Sequence, residues 1–270
     1  MMDCKLICLD IDGTLLNSKH KITELTRKVI HIVSKEKGIP ITLISARMPK
    51  AMASIRNELE IKDPIACFGG AVIIEDDKYV INKVLDADIA LKLYESAENT
   101  GVHMSLYKED NWYVEKLDYW AKQESDITNL QPYIISFPNL FTIWRENKTG
   151  PNKILFMSSP EKIIELKKKI EISEKSLLNM YLSKETYLEV MPSGVGKKET
   201  VELICKMYNI SKENVLAIGD NDNDIGMIEY AGIGIAMGNA LDSVKQSADY
   251  VTKSNDEDGV SEAIEKFILN

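Results

Sequence analysis

Leu6-Ile7-Cys8-Leu9-Asp10-Ile11-Asp12-Gly13-Thr14 decides how the rest of the chain reads. An apolar run of strand length ends in two carboxylates, a glycine and a hydroxyl. A buried strand rarely ends in two acids without a task, because a desolvated charge must be paired, hydrogen-bonded or metal-bound. At the carboxyl end of a parallel strand such a pair sits where open α/β sheets bind ligands. Alternation along extended backbone would send Asp10 and Asp12 to the same side, where they can share one divalent cation. The competing reading is a plain turn, since Asp-Gly is a common turn dipeptide.

The surrounding pattern argues against the plain turn. Ile22, Leu25, Val29, Ile32 and Val33 fall on one helical face, and Gly38 suits the end of that helix. Ile39 to Ser45 reads as a second buried strand, with Pro49 in the first turn of the next helix. Ile65 to Phe68 is a third strand, followed by a hairpin from Val72 to Ile81. This alternation predicts a parallel sheet covered on both faces. From Asn82 to Met191 the texture changes: all three tryptophans and most tyrosines lie here. Helices over Val84 to Thr100 and Pro160 to Ile172 mix with hairpin-like strands, while residues 123–148 yield no assignment. Strand–helix alternation resumes at Pro192. The expected architecture is therefore α/β: a Rossmann-like parallel sheet from residues 1–81 and 192–270, with an inserted α+β domain at 82–191.

A second acidic group follows the strand Asn214 to Ile218: Gly219-Asp220-Asn221-Asp222-Asn223-Asp224. It should emerge at the same sheet edge as Asp10. An EF-hand starting at Asp220 would need glycine and glutamate where Ile225 and Ala231 stand, so a magnesium site with few carboxylates and several waters fits better. Lys197 opens a predicted helix, a position the macrodipole disfavours unless the lysine faces an anion or the acids. A Walker loop is absent, because Met191 and Lys198 replace the required glycine and hydroxyl. Gly232, Gly234 and Gly238 miss the dinucleotide spacing by one position. Ser45, at a strand end before a helix, offers a hydroxyl and nearby backbone N–H groups to an anion, or simply caps the helix. Together these residues make one site, with cation-binding carboxylates on one side and phosphate-holding donors on the other.

Composition narrows the partners. The chain has 270 residues, 44% hydrophobic and 28% charged, with a net charge of -9. An acidic chain without a basic block does not bind nucleic acid readily. Four scattered cysteines and three unclustered histidines make a zinc site improbable. With no apolar run of spanning length and no leader-like start, the expectation is a cytoplasmic protein without a membrane partner.

Asp10-Ile11-Asp12-Gly13-Thr14, Ser45, Lys197 and the Gly219–Asp224 run resemble the four ordered motifs of haloacid dehalogenase-type phosphatases. Ala236-Met237-Gly238-Asn239-Ala240 and Asn255-Asp256-Glu257-Asp258-Gly259-Val260 resemble the Cof-type subfamily. The family usually has threonine and glycine in place of Ser45 and Ala46, and often asparagine in place of Gly69. The resemblance implies a phosphatase of small phosphorylated metabolites, sugar phosphates foremost, as a monomer or homodimer. A phosphomutase and a non-catalytic phospholigand- or metal-binding module are the alternatives. It implies Asp10 as nucleophile and Asp12 as acid and base. Mg2+ would be held by Asp10, the Asp12 carbonyl and Asp220. Ile11, Ser45, Ala46, Lys197 and Asn223 would hold phosphate, with Asp224 and Arg47 behind them. It also implies that the insertion serves as a lid whose aromatics, Tyr107, Trp112 and Tyr187 among them, line a pocket or form its core.

Overall fold

The computed structural model describes residues 3–270, apart from the side chains of Ser173 and Lys175. In chain order the strands are β1 (Leu6–Leu9), β2 (Ile41–Ile44), β3 (Ile65–Cys67), β4 (Val72–Glu75), β5 (Lys78–Asn82), β6 (His103–Lys108) and β7 (Asn111–Val114). They continue as β8 (Tyr133–Ile134), β9 (Lys153–Met157), β10 (Leu178–Lys184), β11 (Tyr187–Pro192), β12 (Val215–Gly219), β13 (Ile233–Ala236) and β14 (Tyr250–Val251). The chain divides into two units, one running to Val80 and resuming over Gly196–Asn270, the other spanning Ile81–Val195.

The first unit holds an 8-stranded sheet in the order β14-β13-β12-β1-β2-β3-β4-β5. Pairing is parallel from β14 through β3, and β4 returns antiparallel to β3. Every residue of β1, β2 and β12 is buried, as expected of parallel strands covered on both faces. Leu9 pairs with Leu43 on one side and Ile218 on the other. That register delivers Asp10, Ser45 and Asp220 to one edge of the sheet. The first helix, Glu24–His31, starts at Thr23, whose hydroxyl accepts from the Thr26 N–H. Gly38, with φ +65°, supplies the left-handed residue beyond its last turns.

The second unit holds a 6-stranded sheet in the order β10-β11-β9-β6-β7-β8. Its pairs are antiparallel except β7 with β8. Leu93, Phe137, Phe141, Trp144 and Ile163 come from helices and pack with Leu106, Ile154, Phe156 and Leu188 from strands in one apolar core. Residues 123–148, unassigned from the sequence, fold into the end of helix Tyr119–Thr128, β8, and helix Phe137–Glu146. Helix Tyr119–Thr128 buries only Ala121 and Ser125, so it lacks the apolar stripe that periodicity detects. Its real signals are Asp118, which accepts from the Ala121 N–H, and left-handed Asn129. Tyr107, Trp112 and Tyr187 are each less than 5% exposed, at 4%, 2% and 4%. Within this unit they are core residues. Strand β11 runs on to Pro192, and the next helix, Lys197–Tyr208, follows from Gly196 as its N-cap.

A buried polar relay runs through the same unit. His103 Nδ1 lies 2.8 Å from Asp118 Oδ2, and its Nε2 lies 2.9 Å from Ser105 Oγ. Trp112 Nε1 donates to the same hydroxyl at 2.9 Å. Burial holds His103 below its ordinary pKa of 6.5, against the pull of the Asp118 carboxylate. The neutral ring is therefore the folded form, and the unfolded chain takes up a proton first as pH falls. The stability this histidine contributes is complete above pH 6.5 and is lost progressively below it. Thermal unfolding at pH 7.5 and 5.5 checks this: wild type should lose its advantage over His103→Gln at the lower pH. An advantage that does not shrink would show that the ring is not held neutral.

Candidate active site

The site forms where β1 and β12 end side by side. The Asp10 N–H donates to the Ile218 carbonyl at 3.1 Å, which locks the two strand ends together. Asp10 is 5% exposed. Lys197, the first residue of helix Lys197–Tyr208, reaches Asp10 Oδ1 with its Nζ at 2.6 Å and also donates to Asp224 Oδ1. The lysine that the helix dipole disfavours is therefore stabilised by two buried carboxylates. Asp224 Oδ2 in turn accepts from the N–H groups of Asp220 and Asn221 at 3.2 and 3.0 Å. Both of its oxygens are thus committed to holding the lysine and the loop. Gly219 allows this approach: a Cβ there would lie 2.4 Å from the Asp224 Cβ.

Asp10, Asp220 and Asp224 each offer an oxygen, and these oxygens lie within 4.8 Å of one another. Asp220 is oriented by Thr14, whose hydroxyl donates to Oδ1 at 2.8 Å. Gly13, at φ +84°, packs against the same carboxylate, with a Cβ there falling 2.3 Å from Oδ2. Thr14 received no role from the sequence beyond its place in the first motif; its signal was the hydroxyl one residue after the left-handed glycine. Burial, and then the charge of Asp224, pushes Asp220 up to about 6, offset by hydrogen bonds with Thr14 and Asp10 and by the charge of Lys197. Burial likewise raises Asp10 well above the carboxylate range, although Lys197 pulls the other way. Lys197 is desolvated too, yet the charges of Asp10 and Asp224 raise its pKa and keep it an ammonium. Three carboxylates thus face one ammonium, a formal charge of -2 when all are ionised. A divalent cation with a preference for hard oxygen ligands matches both the deficit and the donor set.

The Asp12 carboxylate is not one of these three. Strand β1 ends at Leu9, so the backbone turns before Asp12 and the alternation that paired it with Asp10 no longer holds. Arg47 grips both its oxygens, Nε on Oδ2 at 2.8 Å and Nη2 on Oδ1 at 2.6 Å. The Asp12 side chain remains 49% exposed. Burial opposes the Arg47 charge, but the Asp12 hydrogen bonds and charge raise its pKa.

The expected phosphate donors gather at the same edge. Ile11 accepts from Thr14 and Leu16, while its own N–H donates to no acceptor among the described residues. Ser45 is 2% exposed and accepts from the Arg47 N–H at 3.3 Å. It does not cap the following helix, Pro49–Glu58, whose N-cap is Met48. Ala46 is half-buried beside it. Asn223 Oδ1 is buried without a hydrogen-bond partner among the described residues, an orphan beside the acidic loop. Gly69, where the motif pattern often has asparagine, is buried at φ +64°.

Lys197→Met tests the charge balance. It leaves Asp10 and Asp224 buried without a cation, a loss of about 3–5 kcal/mol where both stay ionised. The folded pKa of Asp10, already raised, then rises further, so the loss is greatest at pH 8 and smaller at pH 5, where Asp10 can protonate. Equal destabilisation at both pH values in thermal unfolding would rule this balance out.

Three comparisons bear on the site. The profile of the family described as haloacid dehalogenase-like hydrolase matches residues 7–264. The 5-amino-6-(5-phospho-D-ribitylamino)uracil phosphatase YcsE of Bacillus subtilis is 30% identical, over 99% of this chain and 97% of its own. A haloacid dehalogenase-like hydrolase from Bacteroides thetaiotaomicron superposes with a TM-score of 0.87 at 32% identity, covering 97% of this chain and 99% of its own. TM0651 from Thermotoga maritima does so with a TM-score of 0.85 at 29% identity, covering 97% of each chain.

Proposed function

Because the chain belongs to the haloacid dehalogenase-like hydrolase family, we propose that it is a magnesium-dependent phosphatase of small phosphorylated metabolites, acting through an aspartyl-phosphate on Asp10. The observation that carries this reading is the convergence of Asp10 and Asp220 within reach of one cation, with Lys197 Nζ 2.6 Å from Asp10. Phosphorylated sugars and sugar alcohols are the substrate class we favour. The support is the relative YcsE, whose name gives a phosphoribityl substrate. The second, inserted unit is proposed as the domain that selects among them.

Asp10 attacks phosphorus, forming an O–P bond as the ester oxygen leaves. Asp12 gives that oxygen its proton, then takes one from the water that cleaves the acyl phosphate. Arg47 orients Asp12 with its two parallel bonds. Lys197 meets the phosphoryl oxygens, with the Ile11 N–H, the Ser45 hydroxyl, the Ala46 backbone and Asn223 beside it. Each such donor contributes about 10²–10³ when its bond tightens as charge shifts. Asp224 keeps Lys197 and the acidic loop in place. Mg2+, held by Asp10, the Asp12 carbonyl and Asp220, would neutralise the excess carboxylate charge and polarise the phosphoryl oxygens.

A panel of phosphate esters, assayed for phosphate release with and without Mg2+, tests the reading. Release should require the metal, stop with EDTA, and fall by about four orders of magnitude or more in Asp10→Asn. Near-normal turnover in that variant would exclude Asp10 as nucleophile. Label moving between substrate positions without phosphate release would identify a mutase instead.

Arg47→Lys keeps the charge but loses the paired geometry. The kcat should fall by about ten- to a hundredfold with KM little changed, because misorienting Asp12 affects the chemical step. A raised KM at unchanged kcat would place Arg47 on the substrate rather than on Asp12.

A further inference from the structure

Two loops carry the converging carboxylates, one after β1 and one after β12, and a third segment is tied to both. The Met237 N–H donates to the Gly219 carbonyl at 3.0 Å, and the Leu241 N–H donates to the Asp220 carbonyl at 3.2 Å. Between them, the Asn239 side-chain amide donates to the Gly13 carbonyl at 2.8 Å. Gly13 packs against the Asp220 carboxylate, and Thr14 beside it donates to that carboxylate. One side chain thus connects the segment that holds the Asp220 loop to the residue against which Asp220 packs.

The Asn239 amide has a fixed orientation. Its Oδ1 accepts from the Asn255 backbone N–H at 2.9 Å, so a flipped amide would lose both bonds. The Asn255 side chain makes its own tie, donating to the Leu16 carbonyl at 2.8 Å. Asn239 is exposed, so core packing does not account for its placement. It forms a short polar strut between two loops that no strand pairing joins at this point.

We propose that Asn239 is a positioning residue for the divalent cation: it braces Gly13, against which Asp220 packs, on the segment that follows β13, and so holds the Asp220 carboxylate toward Asp10. This rests on the reading of those two aspartates as cation ligands. The mechanism is preorganisation. A strut made before the cation arrives removes loop freedom that binding would otherwise have to remove. One hydrogen bond of ordinary net strength corresponds to about two- to tenfold in an equilibrium constant.

Calorimetric Mg2+ titration of the full chain tests this, using wild type, Asn239→Ala, Asn255→Ala and Asp220→Asn, with metal-free thermal unfolding of each. Asn239→Ala should bind Mg2+ about two- to tenfold more weakly, with little change in metal-free Tm. Saturating Mg2+ should restore most of its kcat. Asn255→Ala retains the backbone N–H that orients Asn239 and should bind Mg2+ like wild type. Two results would overturn the strut: unchanged Mg2+ affinity in Asn239→Ala, or equal weakening in Asn239→Ala and Asn255→Ala, which would indicate general loosening of the tail. Equal Mg2+ binding by wild type and Asp220→Asn would overturn the cation site itself, and the strut with it.

Discussion

An ammonium buried among carboxylates is the constraint on which the first unit depends. Lys197 leaves water only because Asp10 and Asp224 accept its hydrogen bonds, and those acids are tolerated in the interior only because Lys197 is there. The local backbone follows from this need. Gly219 clears room for Asp224, Gly13 clears room for Asp220, and the helix carrying Lys197 begins where its first side chain reaches the strand ends. The balance still leaves negative charge over. A cluster built only for stability would close that deficit with a second basic side chain or apolar groups. This one leaves that negative charge uncompensated where Asp10, Asp220 and Asp224 converge.

The two units bury polar groups in contrasting ways. In the second, His103, Asp118, Ser105 and Trp112 satisfy one another, and Lys153 pairs with Glu189 at 3.2 Å. Apart from the Ser183 hydroxyl, that interior leaves no buried side-chain oxygen or nitrogen unpartnered among the described residues. Closed networks of this kind fix one conformation. In the first unit, among the described residues, Thr42 Oγ1 is unpartnered within β2, while Asn223 Oδ1 and the Ile11 N–H are loose ends on the loops that follow β12 and β1. Unfinished hydrogen bonding on the loops that carry Asp10 and Asp220 suits a surface shaped for a ligand, as closed networks suit an interior shaped for rigidity.

Much of this was legible in the sequence, for reasons that differ between residues. Asp10 and Asp220 announced themselves because an acid directly after a buried apolar strand has few structural explanations. Lys197 was readable from its electrostatically poor position at a helix start. Alternation was a weak guide to Asp12, because it applies only while the backbone stays extended and β1 stops at Leu9; its carboxylate meets Arg47. The Arg47 fork on Asp12 and the Asn239 tie to Gly13 join residues 35 and 226 positions apart. Local pattern carries no record of such pairs. The helix Tyr119–Thr128 was missed because its buried face consists of Ala121 and Ser125, and neither registers as apolar periodicity.

The interleaved order of the chain has a consequence for its biosynthesis. Strand β1 lies centrally in its sheet, yet one of its neighbours, β12, belongs to the far end of the polypeptide. Thr14 and Asp220 are separated by 206 positions. At about 5–20 residues per second, a ribosome needs roughly 10–40 s to cover that gap. During that interval one flank of an entirely apolar strand has no hydrogen-bonding neighbour. Leu6–Leu9 therefore stays an unpaired apolar edge until its late partner arrives, an exposure that comes from topology rather than from weak packing.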